Sequence, residues 1–177
     1  IEGLEMFNLF QDVDFVVGKS GKKFGYEMPY QPPNQWDNII HFPNGAIFQL
    51  VSQDNERTGR GLNSYAEAGD EAALFDPERL FVTVKTTNRA QKEVFKKCSL
   101  LGSEFYISSA PITKKGKWFN DMEKVSIANP NEYAFIKASA LSNPYLNPQW
   151  FKKMKDAAIS EVLYNAEILN IDPPEIV

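Results

Sequence analysis

Two adjacent carboxylates, Asp70 and Glu71, end a short run of strand-forming residues at 64–69, and two adjacent hydroxyls, Ser108 and Ser109, end another at 104–109. Phosphoryl transfer to water needs a cation to neutralise phosphate charge and a group that orients the attacking water. The first of two carboxylates at a strand end can hold Mg2+ through its water shell, and the second can point at a γ-phosphate. Hydroxyls at a neighbouring strand tip can bond the attacking water or the γ-phosphate and report hydrolysis onward. Open α/β sheets gather such groups at the carboxyl ends of their strands. Arg57 and Arg60 stand in the polar loop just upstream. An arginine that reaches a γ-phosphate, often from a neighbouring subunit, stabilises transition-state charge. The glycines at 59 and 61 let the backbone around Arg60 come close to a partner. Each feature also has a plainer reading: an acidic turn or helix cap, a serine turn, a solvated arginine.

The sequence contains no Gly-x-x-x-x-Gly-Lys-Ser/Thr loop to cradle phosphates. Gly18-Lys19-Ser20 is not the end of such a loop, because Val13 stands where its first glycine belongs and no helical pattern follows. The chain therefore reads as the later part of an ATPase without the earlier part. Lys114, Lys115 and Lys117 beside Trp118 and Phe119 combine charge with stacking surface, as single-strand binders do. Their plainer reading is a wet basic loop beside core aromatics. Lys152, Lys153 and Lys155 read as the solvated face of a helix. His41 has no cysteine or histidine partner for a metal, and Cys98 reads as a helix residue without a nucleophile's partner.

The elements that must position these groups follow from pattern. Apolar runs on both sides of Asn44-Gly45 predict a hairpin over residues 38–52. Ahead of it come a short helix, a short strand at 14–17, a turn at 18–25 and a proline-rich irregular stretch at 28–37. Residues 77–100 read mostly as helix, although Phe81-Val82-Thr83-Val84 favours strand. Residues 125–128 and 134–138 read as short strands. Residues 149–158 and 161–169 read as helices, with Pro148 at the start of the first. Net charge is -4, which argues against coating nucleic acid by bulk charge. One cysteine in 177 residues excludes an internal disulfide. No apolar run reaches the ~18 residues of a membrane span. The start at Ile1 carries no signal-peptide pattern and no initiator Met, so an excised or processed piece is expected.

The order of these motifs resembles the large terminase subunit of tailed bacteriophages, the motor that packages DNA into proheads. The resemblance runs from the Asn44-Gly45 hairpin through Arg60-Gly61-Leu62, Gly69-Asp70-Glu71-Ala72-Ala73, Tyr106-Ile107-Ser108-Ser109-Ala110-Pro111 and Gly116-Lys117-Trp118-Phe119 to Ser142-Asn143-Pro144 and the closing helix with Glu167. It covers about residues 38–170. It implies an α/β, three-layer, P-loop NTPase-like sheet of the ASCE type, partial and lacking the phosphate-loop strand. The whole of 1–177 would be the C-terminal part of the ATPase domain, with a core at 38–140, a helical segment at 145–170 and no nuclease domain. Asp70 and Glu71 would be the Walker B pair, for Mg2+ and for catalysis. Ser108 to Pro111 would be the coupling motif, with Ser108 near the nucleotide and Ser109 sensing the γ-phosphate. Arg60 would be a finger acting on a neighbouring subunit. ATP and Mg2+ would be the cofactors. Double-stranded DNA, the portal protein, the small terminase subunit and further copies in a ring would be the partners, in the host bacterial cytoplasm.

The resemblance also places the missing phosphate-loop strand between the two strands that carry these motifs. Its removal would leave unpaired backbone groups. The piece would then repack, accept another chain, or reclose with the hairpin and later strands. Two other functions suit the same residues: a helicase-like ATPase core, and a non-catalytic DNA-binding or assembly module whose carboxylates are structural.

Overall fold

A computed structural model describes residues 2–52, 62–90 and 93–174. Strands and helices are mixed, and the chain divides into two compact units, Ile1–Thr58 and Gly59–Val177. Among the described residues, no helix is long and apolar enough to cross a membrane.

The first unit begins with α1 (Glu2–Glu5). It then builds an antiparallel sheet in the order β1 (Val16–Val17), β2 (Ile39–His41), β3 (Ile47–Gln49). The predicted hairpin is present, with Ile40 opposite Phe48. Gly45 turns it at φ +79°, a left-handed value that glycine adopts freely, and Asn44 Oδ1 accepts the Ala46 N–H at 3.1 Å. Phe15, Val16, Ile39 and His41 are fully buried. His41 is a structural staple: Nδ1 accepts the Gly21 N–H at 2.9 Å, so Nε2 carries the proton and donates to the Glu27 carbonyl at 2.9 Å. Trp36 lies against its ring at 5.0 Å and Tyr26 meets it edge-on at 5.6 Å.

The second unit holds β4 (Ala66–Gly69) and β5 (Ser103–Tyr106), paired parallel with Gly69 opposite Tyr106. The strands expected to flank a gap are hydrogen-bonded to each other. The hairpin does not reclose their sheet, since β2 and β3 pair with β1. One face of the β4–β5 pair carries exposed Ala66, Ala68, Phe105 and Ile107. Ala72, Ala73, Leu80 and Ala110 are buried in this unit.

Among the described residues, four α-helices complete this unit: α2 (Pro77–Thr83), α3 (Lys117–Ala128), α4 (Pro148–Ala157) and α5 (Glu161–Glu167). Asp76, Asn147 and Ser160 cap α2, α4 and α5 through their side-chain oxygens, which satisfies amides that a helix start leaves open. The expected helix over 77–100 is cut short. Thr83, Thr86 and Thr87 turn their hydroxyls back onto the carbonyls of Arg79, Val82 and Val84, competing with the helical ladder, and only 3-10 turns follow at Lys85–Thr87 and Glu93–Phe95. Cys98 is exposed and lies outside any helix. The strand expected at 125–128 is the last turn of α3, where half-buried Trp118, Met122 and Val125 form one stripe. Residues 134–138 have no regular structure. Lys137 in that stretch bridges Glu123 of α3 at 3.3 Å and Asp172 at 2.7 Å, while Asn120 donates to Asp172 at 2.6 Å.

Candidate functional site

Parallel pairing brings the carboxyl ends of β4 and β5 to one edge. Gly69 is the last residue of β4, and a Cβ there would lie 2.7 Å from both the Phe75 and Tyr106 rings. The ladder continues past it: the Ile107 N–H donates to the Gly69 carbonyl at 2.9 Å, and the Ala72 N–H donates to the Ile107 carbonyl at 3.0 Å. Asp70 and Glu71 sit in the turn between these bonds, both exposed. Asp70 Oδ1 accepts the Glu71 N–H at 3.0 Å. Glu71 is at φ +53° and ψ +40°, a left-handed conformation uncommon for a residue with a side chain. Across the edge, Ser108 Oγ accepts the Ala73 N–H at 3.0 Å. Ser109 is half-buried beside it, and Ala110 and Pro111 are buried.

The four residues Asp70, Glu71, Ser108 and Ser109 are therefore brought together at one edge. Arg57 and Arg60 lie outside the described residues. Lys114, Lys115 and Lys117 are exposed, with Lys115 3.7 Å from Asp76. Trp118 and Phe119 do not form an open stacking platform. They are links in a row of rings from Tyr106 to Trp118 (6.0 Å), Phe119 (5.7 Å) and Phe135 (5.8 Å). Both are half-buried.

Behind the edge lies a cluster that the motifs did not reveal. The Tyr106 hydroxyl donates to Glu67 Oε1, Lys85 pairs with Glu104, and the Lys85 ammonium stands 5.2 Å over the Tyr106 ring. Burial pushes the Glu67 carboxyl above the usual carboxylate range, more than its bond from Tyr106 draws it down. Burial and the Glu67 carboxylate likewise hold the Tyr106 phenol far above its ordinary value. The sequence did carry one signal, an acidic residue in β4 where a buried parallel strand ordinarily has an aliphatic one.

Fit to Mg2+ and ATP is uneven. An exposed Asp70 carboxylate suits Mg2+, which keeps most of its waters and needs one or two carboxylates besides phosphate oxygens. Among the described residues there is no cluster of three or more His, Cys, Asp or Glu side chains that could hold a metal by itself. The nucleotide fits less well, since the sequence has no glycine-rich loop to wrap the β- and γ-phosphates.

No family model, curated protein or solved structure matches this chain.

Proposed function

We propose that this chain carries the acidic and phosphate-sensing side of the ATPase site of a viral DNA-packaging motor, of the kind found in the large terminase subunit of tailed bacteriophages. One observation supports the reading: β4 and β5 run parallel and bring Asp70-Glu71 and Ser108-Ser109 to the same edge, although they pair directly where the resemblance places a phosphate-loop strand between them. In this reading the sheet is of the three-layer P-loop type. The exposed apolar face of Ala66, Ala68, Phe105 and Ile107 supports it, because parallel sheets are ordinarily covered on both faces.

Glu71 orients and deprotonates the attacking water. Asp70 is the residue to hold Mg2+, which supplies charge neutralisation on the phosphates when bound. Ser109 meets the γ-phosphate, and Arg60 completes a neighbouring subunit's site in a ring. Double-stranded DNA is the translocated partner. The portal protein and the small terminase subunit are the docking partners in the host bacterial cytoplasm. The residues present hold no phosphates by themselves, so turnover belongs to an assembly that also supplies a phosphate-binding loop.

The test is ATP turnover in a protein that joins this chain to such a loop. Glu71→Gln keeps size and removes the base. Turnover should fall about 100-fold or more, the range for loss of a positioned base. Unchanged turnover would remove the catalytic reading and leave a DNA-binding or assembly module with structural carboxylates.

A further inference from the structure

Ala73, two residues after Glu71, is held on both sides. Its N–H is taken by Ser108 Oγ at 3.0 Å. Its carbonyl oxygen stands 2.5 Å from where a Cβ on Gly116 would be, and Pro111 Cβ stands 2.8 Å from the same point. Gly116 is buried at φ -80° and ψ -9°, a conformation that any residue adopts. Glycine is therefore required there for space and not for backbone freedom. The left-handed Glu71 needs such support, because a residue in a sparsely populated conformation persists only where its surroundings fix it. The Ala72 N–H bond to the Ile107 carbonyl at 3.0 Å and the Glu71 N–H bond to Asp70 Oδ1 at 3.0 Å fix the turn from the strand side. Ser108 and Gly116 fix it from the side of β5 and α3.

We propose that Ser108 and Gly116 are positioning residues: together they clamp the Ala73 peptide and so set where the Glu71 carboxylate points. Ser109 keeps the γ-phosphate contact of the function proposed above. The clamp's catalytic meaning rests on the function proposed above, while its mechanical part does not. The start of α3 is thus one wall of the site. The Gly116 contact joins the Glu71 turn directly to the helix that Asn120 and Glu123 tie to Asp172 and Lys137.

Amide hydrogen exchange of the full chain reads the clamp without any nucleotide. Ser108→Thr and Ser108→Val have nearly the same shape and differ in the hydroxyl. In Ser108→Val the Ala73 amide should exchange about tenfold faster, as expected for loss of one part-buried hydrogen bond. Ser108→Thr should stay close to the wild-type rate. Gly116→Ala should also speed Ala73 exchange about tenfold. The Phe42 amide, bonded to the Ala46 carbonyl in the other unit, is the internal control and should not change. Equal Ala73 rates in the Val and Thr variants would overturn the role of Ser108, and an unchanged rate in Gly116→Ala would overturn that of Gly116. In a protein joined to a phosphate-binding loop, Ser108→Val should lower kcat with KM for ATP held. A raised KM at constant kcat would instead make Ser108 a nucleotide contact and overturn the clamp as its role. If Glu71→Gln leaves turnover unchanged while Ser108→Val still frees Ala73, the ATPase reading fails and the clamp stands.

Discussion

Glu71 should be less comfortable in this fold than glycine, and the discomfort can be measured. Its φ of +53° and ψ of +40° place its Cβ against the following carbonyl. For an L-residue this costs about 1–2 kcal/mol, and glycine escapes it. Glycine also loses more chain entropy on folding, about 0.5–1 kcal/mol relative to alanine. The difference leaves Glu71→Gly more stable than Glu71→Ala by about 0.5–1 kcal/mol. Comparing these two variants is cleaner than comparing either with wild type. Both remove the same carboxylate beside Asp70, so the electrostatic change cancels. Urea unfolding in a Trp36→Phe background reads the second unit, where the remaining tryptophans, Trp118 and Trp150, lie. The expected shift in midpoint is a few tenths molar, with the slope unchanged. An alanine variant as stable as the glycine variant, or more so, would refute the strain. If the strain is present, a residue that disturbs the backbone is also the one the proposed chemistry needs, and Glu71→Gly trades turnover for stability.

Three further outcomes follow from the buried and half-buried polar groups. His41→Leu orphans the buried Gly21 N–H, at about 1–3 kcal/mol, and the part-buried Glu27 carbonyl, at less, so the first unit should lose about 1–3 kcal/mol or somewhat more. Denaturant unfolding followed at Trp36, which touches the His41 ring, checks this, and a loss below about 0.5 kcal/mol would refute the staple. Glu67 holds its proton to higher pH in the folded chain than in the unfolded one, chiefly through burial. Its favourable contribution is therefore full below the ordinary carboxylate range and is lost as pH rises through and just above that range. Glu67→Gln should flatten the stability profile there, and parallel wild-type and variant profiles between about pH 4 and 7 would contradict it. Tyr106 has the same sign at the alkaline end: the stability from keeping its phenol neutral is present below about pH 10 and declines above it.

What could be read from the sequence was local, and what could not was set by contacts between distant residues. Asn44-Gly45 marked the hairpin because glycine takes the left-handed conformation that closes the turn between two apolar runs. The ends of β4 and β5 were legible for the same reason: Gly69-Asp70-Glu71 and Ser108-Ser109-Ala110-Pro111 each interrupt an extended run. The direct pairing of those strands was not legible, since strand order depends on partners far apart in the chain. Residues 125–128 misled because Val125 and Ile127 favour strand individually, whereas α3 is decided by the spacing of Trp118, Met122 and Val125 over its whole length. Gly116 looked like a turn residue between lysines. Its meaning lies in the Ala73 carbonyl, which no spacing rule connects to it. Ser108 misled in a subtler way. A serine at a strand tip suggests a ligand, yet its oxygen already takes the Ala73 N–H. A hydroxyl that holds the neighbouring turn in place is as demanding of serine as one that touches a phosphate. What marks Ser108 as a clamp is the bond it already makes to the Ala73 N–H, a contact that the pair of adjacent serines does not announce in the sequence.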